Sequence, residues 1–383
     1  MSHLAEPLDS LRATAVQRDL TRQAPIREVR NLVAAGLGAA QIPTEFGGSG
    51  LDVPALLQVL VEVASADPNV TQLMRGHFAF VEDLLHAEQQ RRERWFPLLV
   101  SGALVGNAMA ERASATEEAM TKIDSAEGPL TVTGEKVYTT GSALADWIDV
   151  SARCPNGRDY FVTVDVRAEG VKVIDDWDGF GQRTTATGTV LLKDVLVDTA
   201  DLVPADSRFA YQGAFYQAIL LATQAGILVN VADDLTREIQ NRDRTYSHGN
   251  GASIRADPQV LQIVGELHSA AVAARALVER AGDFLQNARE SAADEHANLR
   301  AEIEVASAQV ALQGLLFQAT SLFLNPLGAS ALATSKGLDR HWRNARAVAS
   351  HNPIFYRARG IGDYFVNGTS PVTGWGLIRT AAK

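Results

Sequence analysis

His351 stands directly before Asn352 and Pro353, a pair that reads as a helix start with the asparagine as cap and the proline in the first turn. The positive end of a helix disfavours a further positive charge, so a histidine held there stays neutral and can exchange protons. The competing reading is a ring that caps the helix or packs against Trp342. His77, within Gly76-His77-Phe78-Ala79-Phe80, is either a core histidine satisfied by its neighbours or a substrate-facing one. Asn107, within Gly106-Asn107-Ala108, is either an Asx turn or an amide that donates to a reacting oxygen without surrendering a proton. Thr140 and Ser142 flank Gly141, two and four residues after Tyr138, and offer backbone and hydroxyl groups to a polar ligand. Arg244, Arg343 and Arg346 carry guanidinium forks that suit phosphate, or else are ordinary surface arginines.

Other chemistry is excluded by what the sequence lacks. No Gly-x-Gly-x-x-Gly run follows a strand-like segment, so no Rossmann site for a nicotinamide is expected. No cysteine–histidine spacing suits a metal, and no metal site is expected. The formal net charge of −10, with acids and bases interspersed, makes nucleic acid and anionic membrane poor partners. A single cysteine, Cys154, cannot form an internal disulfide and fits a reducing cytoplasm. The stretch from Met1 to Ser10 lacks the basic-then-apolar order of a secretory signal. Ala218 to Ala232 is the most apolar run, yet Gln224 and Asn230 interrupt it, so it reads as a buried helix.

The elements that must hold these residues fall into three textures. Residues 1–105 are helical in pattern, broken at Ile42-Pro43 and at Phe46-Gly47-Gly48-Ser49-Gly50. Residues 106–205 turn to short β segments: Pro129 to Gly134, Trp147 to Ala152, Tyr160 to Val164, Thr189 to Leu192 and Val195 to Val197. Residues 206–383 return to long amphipathic helices, with starts at Asp257-Pro258, Asn325-Pro326 and Asn352-Pro353. Helices, then strands, then a bundle describe an α+β multidomain chain.

Several segments resemble the acyl-CoA dehydrogenase superfamily. Ile42-Pro43-Thr44-Glu45-Phe46-Gly47-Gly48 is similar to the loop after its first helices, and Gly134 to Gly141, followed by Ala145-Asp146-Trp147, to its strand along the flavin ring. Arg75 to Phe80, Gly106 to Ala108, Asp175 to Trp177, Gly179 to Thr185, Asp339 to Arg346 and Ser350 to Pro353 resemble one branch, the two-component flavin monooxygenases of sulfur compounds. The resemblance implies an N-terminal helical domain, a central β-barrel-like domain and a C-terminal four-helix bundle.

The same resemblance implies how the residues would work. An acyl-CoA dehydrogenase needs a carboxylate base, but the two positions that carry it in the family fall on His351-Asn352-Pro353 and near Tyr216-Gln217, with no acid at either. Losing such a base removes about 10²–10⁴ in rate. The expected activity is therefore monooxygenation: reduced FMN, with FAD as the alternative, forms a C4a-hydroperoxide with O₂, and one oxygen passes to a small sulfur, amine or aromatic substrate. His351, Asn107, His77 and Ser142 would serve catalysis, with Val81 in place of a tyrosine that relatives carry four residues after the histidine. Tyr138, Thr140, Arg244, Arg343 and Arg346 would hold the flavin. A separate flavin reductase and a homotetramer are the implied partners. The rival reading is an FAD-dependent acyl-CoA dehydrogenase with a non-standard base.

Overall fold

The computed structural model describes residues 2–112, 121–124 and 129–371. Six helices come first: α1 (Ala5–Thr21), α2 (Ile26–Ala34), α3 (Val53–Ala66), α4 (Pro68–Leu73), α5 (Arg75–Leu85) and α6 (Gln89–Val100). Local chemistry sets their ends. Asp52 caps α3 by accepting from the Ala55 amide at 2.8 Å. Asp67 then closes α3 and opens α4, where its carboxylate accepts from the Asn69 amide at 3.0 Å and Pro68 fills the first position.

Eight strands follow: β1 (Val105–Ala108), β2 (Lys122–Asp124), β3 (Thr131–Lys136), β4 (Trp147–Arg153), β5 (Asp159–Asp165), β6 (Val171–Ile174), β7 (Thr189–Leu196) and β8 (Leu202–Pro204). They form one mixed sheet in the order β6-β7-β3-β2-β4-β5-β8, with β1 parallel to β4 through Asn107 opposite Asp149. The sheet has its own core of Val132, Ile148, Val150, Val162, Val190 and Val195. Thr189 to Leu192 and Val195 to Val197, expected as two strands, are one: Asp194 takes a left-handed φ of 49° inside β7 and its carboxylate accepts from the Thr133 hydroxyl. That local adjustment lets pairing continue past two polar residues.

The chain ends in α7 (Gln212–Gln240), α8 (Pro258–Glu290), α9 (Glu295–Leu322), α10 (Arg340–Ala349) and α11 (Ile354–Asn367). Residues 218–232 lie within α7 and face the core almost throughout. Asp257 caps α8 as expected, accepting from Gln259 at 2.9 Å. Asn325-Pro326 does not begin a helix. It lies in a turn after α9, followed by Gly328 at φ 65° and a short 3₁₀ segment. The largest core joins the two helical ends of the chain, with Leu57, Leu60 and Val61 of α3 in the same cluster as Phe215, Leu221 and Leu228 of α7.

Candidate active site

The floor of the site is the N-terminal turn of α5 laid against β1. Gly76 makes the contact possible: a Cβ there would lie 2.9 Å from the Asn107 Cβ. His77, the next residue, is locked by backbone. Its Nε2 donates to the Gly38 carbonyl at 2.7 Å and its Nδ1 accepts from the Val105 amide at 3.3 Å. Burial pushes it down to about 4, so it stays neutral. Both ring nitrogens are thus held by backbone, and His77 ties α5 to residues 38 and 105.

Arg75 enters the same turn from the other side and is buried. Its Nη2 donates to His351 Nε2 at 2.9 Å, and its guanidinium lies 5.1 Å from the centre of the Tyr216 ring. Nε and Nη1 have no hydrogen-bond acceptor among the described residues. Burial lowers the guanidinium to about 10, still charged at neutral pH.

His351 occupies the turn between α10 and α11. Asn352 does not cap α11, which starts at Ile354 with Pro353 at the cap position. Instead the Asn352 side-chain oxygen accepts from His351 Nδ1 at 2.5 Å. Because arginine can only donate and this oxygen can only accept, the ring is fixed as the Nδ1–H tautomer with its Nε2 lone pair toward Arg75. The ring is solvent-accessible, with protein packed closely around it. Desolvation there, then the guanidiniums of Arg75 and Arg357, hold it far below its ordinary value, near 3. Trp342 is not its packing partner: that indole stacks on Phe180, with centroids 5.7 Å apart.

The two positions that carry the carboxylate base in the acyl-CoA dehydrogenases the sequence resembles meet in space. Gln217 Nε2 reaches Asn352 Oδ1 at 3.5 Å, and Gln309 of α9 donates to Gln217 Oε1 at 3.2 Å. Amides fill the place, and an amide does not take up a proton at neutral pH. The raised acid nearest this region is Glu302 of α9, which sequence reading passed over because it sits within a polar helical run. Burial pushes its carboxyl up to about 7, opposed by Arg357.

On the sheet side, Gly141 takes φ +83° and its amide donates to the Thr185 carbonyl at 3.1 Å, stitching residues 139–143 to residues 185–188. Thr140 accepts from the Thr187 hydroxyl at 3.2 Å, and Thr187 in turn meets Thr185 at 2.8 Å. Ser142 Oγ donates to the Asn107 carbonyl at 3.3 Å, and Asn107 packs on Gly76, the residue after Arg75, so Ser142 and Asn107 stand next to the Arg75–His351 pair. Tyr138 is exposed, with a φ of 55°, and meets Trp177 edge-on at 6.1 Å. Several buried polar atoms around these loops have no partner among the described residues: Asn107 Oδ1, both Gln182 side-chain atoms and Thr184 Oγ1.

The three expected phosphate arginines separate. Arg343 is fully engaged, with Asp19 (2.5 Å), Asp339 (2.7 Å) and the Phe180 carbonyl (3.0 Å), and clamps α10 to α1 instead of holding a ligand. Arg346 is exposed and stacks 5.1 Å over Phe317. Arg244 is exposed in the α7–α8 connection and has no contact with the set around His351.

The chain matches two family models, described as acyl-CoA dehydrogenase, N-terminal domain, over residues 9–103 and acyl-CoA dehydrogenase, C-terminal domain, over residues 220–354. Dibenzothiophene monooxygenase of Rhodococcus qingshengii is 25% identical over 389 residues, covering 95% of this chain and 92% of that protein. The probable FMNH2-dependent monooxygenase SfnC of Pseudomonas putida is 26% identical over 379 residues, with coverages of 94% and 92%. The crystal structure of FMN-bound TdsC from Paenibacillus sp. A11-2 superposes with a TM-score of 0.89 at 27% identity, over 97% of this chain and 98% of that one.

Proposed function

The chain belongs to the acyl-CoA dehydrogenase family, and from that premise we propose that it is a reduced-FMN-dependent monooxygenase of a small substrate, not a dehydrogenase. The observation that carries this is the meeting of Asn352 and Gln217: both positions for a carboxylate base are amides, and the adjacent titratable group is the neutral His351. The names of the similar monooxygenases agree with it and make a sulfur compound the favoured substrate.

The residues present fit FMN. The turn at Gly141, the Thr140–Thr187–Thr185 hydroxyl chain and the unpartnered atoms of Asn107, Gln182 and Thr184 offer acceptors and donors to a polar ring edge. Tyr138 supplies an exposed aromatic face beside them, while Arg346 and Arg244 are exposed cations that phosphate could meet. Reduced FMN supplies the electrons that activate O₂. His351 then exchanges a proton through the site it shares with Arg75, Asn107 Oδ1 orients a donor on the reacting group, and Ser142 holds the Asn107 backbone in register. The absence of a Gly-x-Gly-x-x-Gly run favours a separate reductase as electron source. Leu261 and Val272 leave apolar surface exposed on α8, which supports burial between copies in a homotetramer, and the lone cysteine fits the cytoplasm.

Anaerobic mixing with acyl-CoA thioesters, followed by mixing of the protein–reduced FMN complex with O₂, tests the reading. No thioester should bleach the flavin, and O₂ should yield less H₂O₂ than flavin oxidised once a substrate is present. Bleaching by any one thioester at enzymatic rates overturns it.

A further inference from the structure

Buried charges in proteins are paired, because an unpaired ion in a poorly polarisable interior is costly. Arg75 breaks that rule. It makes no ion pair with any described carboxylate, and the acids around Tyr216 are engaged elsewhere. Asp149 and Asp83 are taken by Arg208, at 2.6 and 3.3 Å, and Asp83 also by Arg91 at 2.7 Å. Glu302 faces Arg357. What Arg75 does have is the π face of Tyr216 and the lone pair of His351, both neutral. Among the described residues, two further N–H positions, Nε and Nη1, have no acceptor, and the Asn107 Oδ1 across Gly76 is also unpartnered. A chain of net charge −10 thus gives this cation, at the floor of its site, no counter-ion among the described residues.

We propose that the missing counter-ion arrives with the substrate: the site takes a small oxyanion, a sulfinate, sulfonate or carboxylate, whose oxygens accept from Arg75 while Tyr216 lies under its apolar part. The proposal rests on the site around His351 being the substrate site. A planar guanidinium with free N–H groups matches such an oxyanion better than it matches a neutral thioether or arene. The same pairing brings the reactive end of the substrate beside His351, which Arg75 already touches.

The test is calorimetric titration of two probes of nearly equal shape, methanesulfinate and dimethyl sulfoxide, into the protein with excess FMN and without it. Methanesulfinate should bind about 10- to 100-fold more tightly than the sulfoxide, the range for a charge-assisted contact. Arg75→Gln should erase that preference. Arg75→Lys, which keeps the charge but not the fork, should retain part of it and supplies the comparison if the glutamine variant does not fold. Equal binding of the two probes, or anion binding unchanged by either substitution, overturns the proposal. Displacement of FMN by methanesulfinate also overturns it, since Arg75 would then serve an anion of the flavin. FMN affinity on the same samples separates the two claims: a chain that binds no FMN fails the flavin reading, whereas one that binds FMN and prefers the sulfoxide fails only this one.

Discussion

Arg75 donates from Nη2 to His351 Nε2 across 2.9 Å, while Asn352 accepts from the opposite ring nitrogen at 2.5 Å. The imidazole is held at both ends in one tautomer, and its proton-accepting nitrogen is the one nearest the unpaired guanidinium. His351→Phe keeps the ring but strands Arg75 further, so the variant should lose about 1–3 kcal/mol of stability. It should still bind FMN yet oxygenate about 10²–10⁴ more slowly. His351→Gln restores an acceptor for Arg75 and should recover the stability without the activity. Thermal melts beside stopped-flow reoxidation check both, and wild-type oxygenation by a folded phenylalanine variant removes His351 from the mechanism.

Replacing the neutral partner on the other side tests the same clamp. Asn352→Asp places a carboxylate against Nδ1, which favours the protonated ring and must raise the histidine above its present low value. The ¹H shift of the His351 ring, followed against pH, should move to a higher midpoint. An unchanged midpoint would mean that Asn352 does not hold Nδ1 in solution.

The arginines should part company under substitution. Arg343→Ala breaks the contacts to Asp19 and Asp339 and should cost about 1–3 kcal/mol in stability with FMN affinity unchanged. Arg244→Ala, on the exposed α7–α8 connection, should leave the melt alone and weaken FMN by about 1.5–3 kcal/mol. Fluorescence titration with FMN reads the contrast, and a reversed pattern would exchange the two assignments.

Acid should destabilise the fold earlier than carboxylate protonation alone would. His77 and His351 are held neutral, near 4 and 3 against an ordinary value of 6.5, so the unfolded chain binds more protons between those limits. Stability therefore falls as pH drops below about 6.5, by about 1.4 kcal/mol per pH unit for the buried His77 and by less for the solvent-accessible His351, where water screens the effect. Glu302, raised to about 7, acts in the other sense, its contribution fading as pH rises from 4.5 to 7. His77→Gln should flatten the acid limb of the melting-temperature profile. A limb that stays as steep would place the proton uptake elsewhere.

Much of this architecture was legible in local signals. Asp257-Pro258 announced α8 because cap and proline act within one turn, and period-two alternation marked β4 and β5. Asn325-Pro326 carries the same signature but leads into a turn, since capping cannot create a helix where no apolar face follows to be buried. At the site, His351, Asn107 and Ser142 were visible as residue types in suggestive places. What spacing could not show was partnership. The consumption of both His77 nitrogens by Gly38 and Val105, and the engagement of Arg343 by Asp19, join residues 28 to 324 positions apart. Arg75 was hidden for the converse reason: its distinction is a partner it does not have.

The shared core of α3 with α7 sets an order on the birth of the molecule. The sheet carries its own apolar centre and needs nothing beyond β8, so it can consolidate while the rest is still being made. α3 has no such independence. Leu57, Leu60 and Val61 face residues of α7 that emerge more than 150 positions later, on the order of ten seconds at ordinary translation rates. During that interval the amino-terminal third displays its apolar stripe to water or to a chaperone. A chain cut between β8 and α7 would therefore hold a complete sheet attached to a helical segment that cannot close.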